Sequence, residues 1–186
     1  MNKVKVIFLG PSGTGAKTSL INRIIGNEFN ENEKCTLSSS FVPKILKTSY
    51  GIINLDLWDT PGLEKLRSLI RIFCKGSDFV VFGYAVDNRD NLDEIKDFYK
   101  LIYEELGNLP LLYLVGNKID LFSNREVTKE EGENYAKKYN MKYYEVSAKT
   151  GEGVNELIED ISNSLEIKKI KKYFGKYRKL NYYSNY

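Results

Sequence analysis

The sequence predicts an α/β fold built on an open, mostly parallel sheet. Three observations point to it. Short apolar runs rich in Val, Ile and aromatic residues recur along the chain, as expected of strands covered on both faces. Segments with helical spacing lie between these runs. Polar and glycine-rich motifs follow directly on the runs, at the strand ends where ligands bind in such sheets.

The elements follow in order. Val4–Leu9 is the first strand. Its apolar stretch is too short for a signal peptide and carries no cleavage site. Lys17–Gly26 is helical and ends at Gly26. Phe41–Tyr50 is a further strand, and Pro43 confines it to an edge. Ile52–Trp58 is the next strand. Glu64–Cys74 places Leu66, Leu69, Ile70 and Phe73 on one helical face. Phe79–Val86 is a strand, and Asn91–Leu106 is a helix stopped by Gly107 and Pro110. Leu111–Val115 is a strand. Thr128 opens Thr-Lys-Glu-Glu, a capping-box pattern completed by Glu131. Tyr143–Val146 is a weaker strand. Glu152–Ile170 carries Val154, Leu157, Ile158, Ile161 and Leu165 on one stripe.

Composition excludes several chemistries. The 186 residues include no histidine, which removes Ser-His-Asp and Cys-His catalysis and His-ligated zinc. Two cysteines, Cys35 and Cys74, make neither a four-ligand metal site nor a disulfide framework, and suit a reducing, cytoplasmic setting. No apolar run reaches the roughly 18 residues of a membrane span. The net charge of +3 is unevenly placed. Seven basic residues and no acidic one lie in 167–186, so residues 1–166 carry −4.

Four motifs carry chemistry. The first is Gly10-Pro-Ser-Gly-Thr-Gly-Ala-Lys-Thr18, between the first strand and the first helix. Glycines let backbone N–H groups turn toward phosphate oxygens, a lysine neutralises the β- and γ-phosphates, and a hydroxyl ligates Mg²⁺. The usual spacing places the lysine directly after the last glycine. Ala16 stands between Gly15 and Lys17, a one-residue insertion. The plain alternative is an ordinary glycine-rich turn. The second motif, Trp58-Asp-Thr-Pro-Gly62, ends a strand. Asp59 there can hold Mg²⁺ through water, and Gly62 can offer its N–H to a γ-phosphate. The third is Asn117-Lys-Ile-Asp120. The Asp120 carboxylate can accept from N1–H and the 2-amino group of guanine, a donor pair that adenine lacks. Lys118 can lay its stem on the base. The fourth is Ser147-Ala-Lys149, where the Ala148 N–H could reach the guanine O6. Singly, each of the last three also reads as a plain turn or loop.

The four motifs, in this order after four strands, resemble the Ras superfamily of small GTPases over residues 3–166. The segments Asn54–Glu64 and Leu63–Ser77 align without gaps to the Rab pattern. The resemblance implies a P-loop NTPase fold, a small G domain over residues 1–166. Its sheet has six strands, mostly parallel with one antiparallel edge strand, flanked by about five helices. It implies GTP or GDP held with Mg²⁺ by Ser12, Gly13, Thr14, Gly15, Ala16, Lys17, Thr18, Ser19 and Phe29. Thr36, Gly62, Asn117, Lys118, Asp120, Ser147, Ala148 and Lys149 complete the nucleotide set. Thr18, Thr36 and, through water, Asp59 are the metal residues. Lys17, Thr36 and Gly62 are the catalytic ones. An ATP-using kinase is the third reading, and Asn117 and Asp120 argue against it.

The chain also departs from the pattern. Leu63 stands where family members carry the glutamine that orients the attacking water, which implies slow hydrolysis or a hydrolysis-deficient binding module. Effectors and exchange proteins are expected at Lys34–Phe41 and Pro61–Cys74 of a monomer. No cysteine follows Cys74, so any membrane hold is expected to be peripheral and without a prenyl anchor. The tail 167–186 interleaves its charges with Tyr173, Phe174 and Tyr177. It is expected to be a solvated extension, an electrostatic contact with an anionic membrane, or a surface on which nucleic-acid bases stack, with no specific nucleic-acid partner.

Overall fold

A computed structural model describes residues 2–33, 36, 39–48, 51–61, 70–107 and 109–165. Gly62, Leu63, the start of the helix expected from Glu64 and the tail 167–186 lie outside them.

The strands are β1 (Asn2–Leu9), β2 (Ser40–Thr48), β3 (Gly51–Asp59), β4 (Phe79–Ala85), β5 (Leu111–Asn117) and β6 (Lys142–Glu145). The helices are α1 (Thr18–Ile25), α2 (Ile70–Cys74), α3 (Arg89–Leu106), α4 (Lys129–Lys138) and α5 (residues 154–165), with a 3-10 turn at Phe122–Asn124. The six strands form one sheet in the order β2-β3-β1-β4-β5-β6. The β1–β3, β1–β4, β4–β5 and β5–β6 pairs are parallel. Only β2 runs antiparallel, paired with β3 from Ser40↔Asp59 to Thr48↔Gly51. Pro43 stands in the middle of this edge strand, opposite Asp56.

Alternation along β1 explains the two cores. Val4, Val6 and Phe8 face α1 and α5, meeting Leu20, Ile21 and Ile24 of the first and Leu157, Ile161 and Leu165 of the second. Ile7 and Leu9 face the opposite side, with Val80 and Phe82 of β4 and Leu92, Ile95, Phe98 and Ile102 of α3. Each such side chain contributes about 1.5–3 kcal/mol by leaving water. The strands are therefore continuous apolar runs, because both faces are covered.

Most element ends shift by one to three residues from the sequence expectation. Strand β5 continues to Asn117 because its ladder with β4 continues to Ala85↔Asn117. Helix α3 starts two residues early, at Arg89, because Asn88 caps it and accepts from the Asn91 N–H at 3.3 Å.

The capping box of α4 forms as expected. Thr128 Oγ1 accepts from the Glu131 N–H at 3.2 Å, and Glu131 Oε2 accepts from the Thr128 N–H at 2.8 Å. Arg89 bonds the same carboxylate at 2.9 Å. Arg89, then the Thr128 backbone, hold the Glu131 carboxyl down at about 2, below its ordinary 4.5. A carboxyl depressed in the folded state stabilises it above the ordinary value, and loses that contribution as pH falls through the folded one. The stability difference between wild type and Glu131→Gln should therefore be constant above pH 4.5 and shrink from there down toward pH 2. Chemical denaturation at stepped pH reads this out. A flat difference curve contradicts the assignment.

Order in the sheet also places the site. Strand β1 lies between β3 and β4. The chain leaves it toward β2 and β3 on one side and resumes at β4 on the other. That reversal opens a crevice beyond the carboxyl end of β1.

Candidate functional site

A cavity of about 360 Å³ occupies this crevice. Its floor is the loop from β1 to α1, represented by Ser12, Gly13 and Gly15, with Lys17, Thr18 and Ser19 at the start of α1. Gly10 must be glycine, because a Cβ there would run into the carbonyl oxygen of Gly83 in β4. Gly15 has φ +65°, and a Cβ there would come within 2.9 Å of Asn117 Nδ2. The Lys17 ammonium is drawn back over the loop, donating to the carbonyls of Gly10 at 2.8 Å and Pro11 at 2.5 Å. Thr14 is buried behind the loop, donating to Pro11 O and accepting from the Ala16 N–H. Ala16 is fully buried as well. The Leu20 N–H reaches back to Gly15 O at 3.1 Å, one residue further than in an α-turn, before Ile21 N–H to Lys17 O sets the regular pattern.

Three oxygens converge at the end of β3. Thr18 Oγ1 donates to Asp59 Oδ2 at 2.7 Å, Thr36 Oγ1 donates to the same atom at 3.0 Å, and the two hydroxyls lie 2.7 Å apart. Asp59 is buried, and its Oδ1 has no hydrogen-bond partner among the described residues. Among the described residues no cluster of three His, Cys, Asp or Glu exists. The donor set is thus hydroxyl and carboxylate oxygen, which suits a hard divalent cation such as Mg²⁺. The orphaned, buried Oδ1 fits the same conclusion, since such an atom is costly without a ligand. Thr60, next in the chain, is anchored by its hydroxyl to Phe8 O at 2.6 Å.

The opposite end of the cavity is built by the loops after β5 and β6. Asn117 ties them to the floor. Its Nδ2 donates to Thr14 O at 3.0 Å, and its Oδ1 accepts from the Ala148 N–H at 2.9 Å. Lys118 has φ +69°, a left-handed conformation rare outside glycine, and its ammonium meets Asp87 at 3.2 Å. Ser147 is buried and does not line the cavity. Its hydroxyl donates to Asp120 Oδ1 at 2.6 Å and holds that carboxylate in place. Phe29 closes one wall.

A Ras family model matches residues 5–167. The chain belongs to the Ras family. It is also similar to the Ras-related protein Rab-21 of mouse and of human, at 38% identity over 157 residues, and of cattle at 37%. The match covers 84% of this chain and 70% of the mouse and cattle proteins, 69% of the human one. This is accordingly a Rab-like small GTPase, with the six-stranded sheet and five helices of a small G domain. Members of the family bind GTP and GDP, typically with Mg²⁺, and work with effectors and exchange factors. Among the described residues no helix is long and apolar enough to cross a membrane.

The small GTPase also uses residues that no sequence signal marked. Arg23, in the last turn of α1, donates to Ala148 O at 2.8 Å and Lys149 O at 2.6 Å, pinning the loop after β6. Lys149 reaches Glu31 at 2.7 Å across the mouth of the cavity. Asn30, Glu33 and Leu121 also line the cavity, beside Pro61 of the second motif. These partners lie more than a hundred residues apart along the chain, beyond any local pattern. Gly62 and Leu63, expected beside Pro61, are outside the described residues.

Proposed function

We propose that this chain is a guanine-nucleotide switch of slow intrinsic turnover, acting in membrane trafficking or signalling. The observation that carries it is one cavity lined by Asp120 and Asn117 on one side and by Lys17, Thr18 and Thr36 on the other, both threonines bonded to the buried Asp59. The spacing of functions suits a nucleoside with its phosphates. Asp120 reads the guanine edge, Lys118 covers a base face, and Phe29 packs at the base's rim. The Ala148 N–H is engaged by Asn117, so a contact to the guanine O6 shares that donor. Ser12, Gly13, Thr14 and Gly15 supply the loop whose N–H groups face the phosphates, aided by the positive end of α1, while the Ala16 N–H is held by the Thr14 hydroxyl. Lys17 leaves its two carbonyl partners for the β- and γ-phosphate oxygens. Ser19 borders the α-phosphate side, and Ser147 and Lys149 hold the base loop.

Thr18, Thr36 and Asp59, the last through water, would hold Mg²⁺, which supplies positive charge to the phosphate oxygens when bound. Thr36 and Gly62 sense the γ-phosphate and hold Lys34–Phe41 and Pro61–Cys74, the surfaces for effectors and exchange proteins. Loss of the phosphate releases both segments. Residues 1–166 form the switch. The basic tail 167–186 adds a reversible electrostatic contact with anionic membrane.

Leu63 has no polar atom with which to orient water. Leu63→Gln is therefore expected to raise single-turnover γ-phosphate release by roughly tenfold or more, since positioning the nucleophile is a main term in phosphoryl transfer. Equal rates in the two proteins would show that Leu63 is no impairment. The same residue supports a second reading, a GTP-bound interaction module that hydrolyses nothing. Nucleotide released from the purified wild type decides between them: GDP favours the cycle, and GTP favours the module.

A further inference from the structure

Strand β4 reads Phe-Val-Val-Phe-Gly-Tyr-Ala, fully buried, and Gly83 is its one position without a side chain. Glycine inside a strand weakens it and marks close approach of another backbone. Here the approach is visible. A Cβ on Gly83 would overlap the Cβ of Ala16 and lie 2.8 Å from Ala16 O. Ala16 is the residue that lengthens the loop between Gly15 and Lys17, and none of its surface is exposed. The wide turn from Gly15 O to the Leu20 N–H spans the same residue. On the other side, Gly10 packs so tightly on the Gly83 carbonyl that no side chain fits between them.

We infer that Gly83 is a positioning residue for the phosphate loop: its missing side chain is the seat into which Ala16 folds. The extra residue is taken inward as a wide turn, so Gly13, Gly15, Lys17 and Thr18 still face the cavity. With the seat filled, Ala16 is pushed out, and Lys17 and Thr18 move with it. Positioning by tenths of an ångström decides the grip on a ligand. Gly83 itself is not among the residues that line the cavity. The inference rests on reading this loop as the phosphate site.

The test is the dissociation rate of a fluorescent GDP analogue from the full chain with Mg²⁺. It compares wild type, Gly83→Ala, Ala16→Gly and the double variant, with circular dichroism as the check on folding. Gly83→Ala is expected to speed release at least tenfold, and in the Ala16→Gly background by a clearly smaller factor, because that background removes the contact with the Ala16 Cβ and leaves the one with the Ala16 carbonyl oxygen. That non-additivity is the signature of direct coupling between the two sites. A purely structural role for Gly83 would give the same factor in both backgrounds, and that result overturns the inference. So does release from folded Gly83→Ala within twofold of wild type. Should Gly83→Ala not fold, Gly83→Ala with Ala16 deleted removes both the Cβ and the carbonyl that meet the new side chain: folding and binding by that variant support the inference, and its failure to fold overturns it. A wild-type protein that takes up no GDP analogue defeats the functional reading instead.

Discussion

Asp120→Ala is expected to weaken GDP binding by two to four orders of magnitude and to erase the preference for guanine over adenine. The carboxylate offers two acceptors to two donors on the guanine edge. Each charge-assisted hydrogen bond contributes about 1.5–3 kcal/mol, so losing both costs about 3–6 kcal/mol. Ser147 fixes the carboxylate through a 2.6 Å bond, so the acceptors are oriented before the base arrives. Ser147→Ala should accordingly shift affinity in the same direction by a smaller factor. Competition of GTP and ATP against a bound fluorescent GDP analogue measures both. In wild type, ATP should compete at least a thousandfold less well than GTP, following the steep rejection shown by sites built around hydrogen bonds. In Asp120→Ala the two should fall within about tenfold. A variant that keeps its guanine preference would show that the base is read elsewhere.

Asn117→Ala is expected to damage folding and nucleotide binding together. The side chain is buried and joins two loops, taking the Ala148 N–H and giving to Thr14 O. Removing it leaves a buried donor and a buried acceptor unmet, at about 1–3 kcal/mol each. The expected loss is about 2–6 kcal/mol in the free protein, measured by urea denaturation. Nucleotide release should accelerate as well, because the phosphate and base loops are no longer held at a fixed separation. Asn117→Asp separates the two bonds: it keeps the acceptor toward Ala148 and drops the donor toward Thr14. It also sets a buried carboxylate oxygen against the Thr14 carbonyl, so its loss should be at least as large as that of Asn117→Ala. Unchanged stability in Asn117→Ala would mean that the loops hold each other by other means.

What the sequence made legible follows the range of each interaction. Strands sandwiched between helices announce themselves, because every position is apolar. Hence Phe79–Val86 was found within a residue of its true end at Ala85. The box at Thr128 was legible because its two partners are three residues apart. The end of β5 was not, since Gly116 and Asn117 are held by ladder bonds to β4 rather than by hydrophobicity. Motifs contiguous in sequence placed Lys17, Asp59, Asn117 and Asp120. Thr36 carries no local signal, and only the resemblance singled it out before the structure set it beside Thr18 and Asp59. Arg23, Glu31 and Gly83 escaped notice for one reason. Each acts on a loop far along the chain, and a lone arginine, glutamate or strand glycine says nothing about its partner.

Pro43, in the middle of β2, bears on how this sheet can be approached. A proline is tolerated in an edge strand where its nitrogen faces away from the neighbouring strand. The outer rim of β2 then offers no donor at its centre, and Lys44 and Lys47 add charge nearby. Edges furnished in this way discourage a foreign strand from joining the ladder. A protein that binds this flank must therefore grip side chains such as the exposed Phe41 and Ile45, rather than extend the sheet by one more strand.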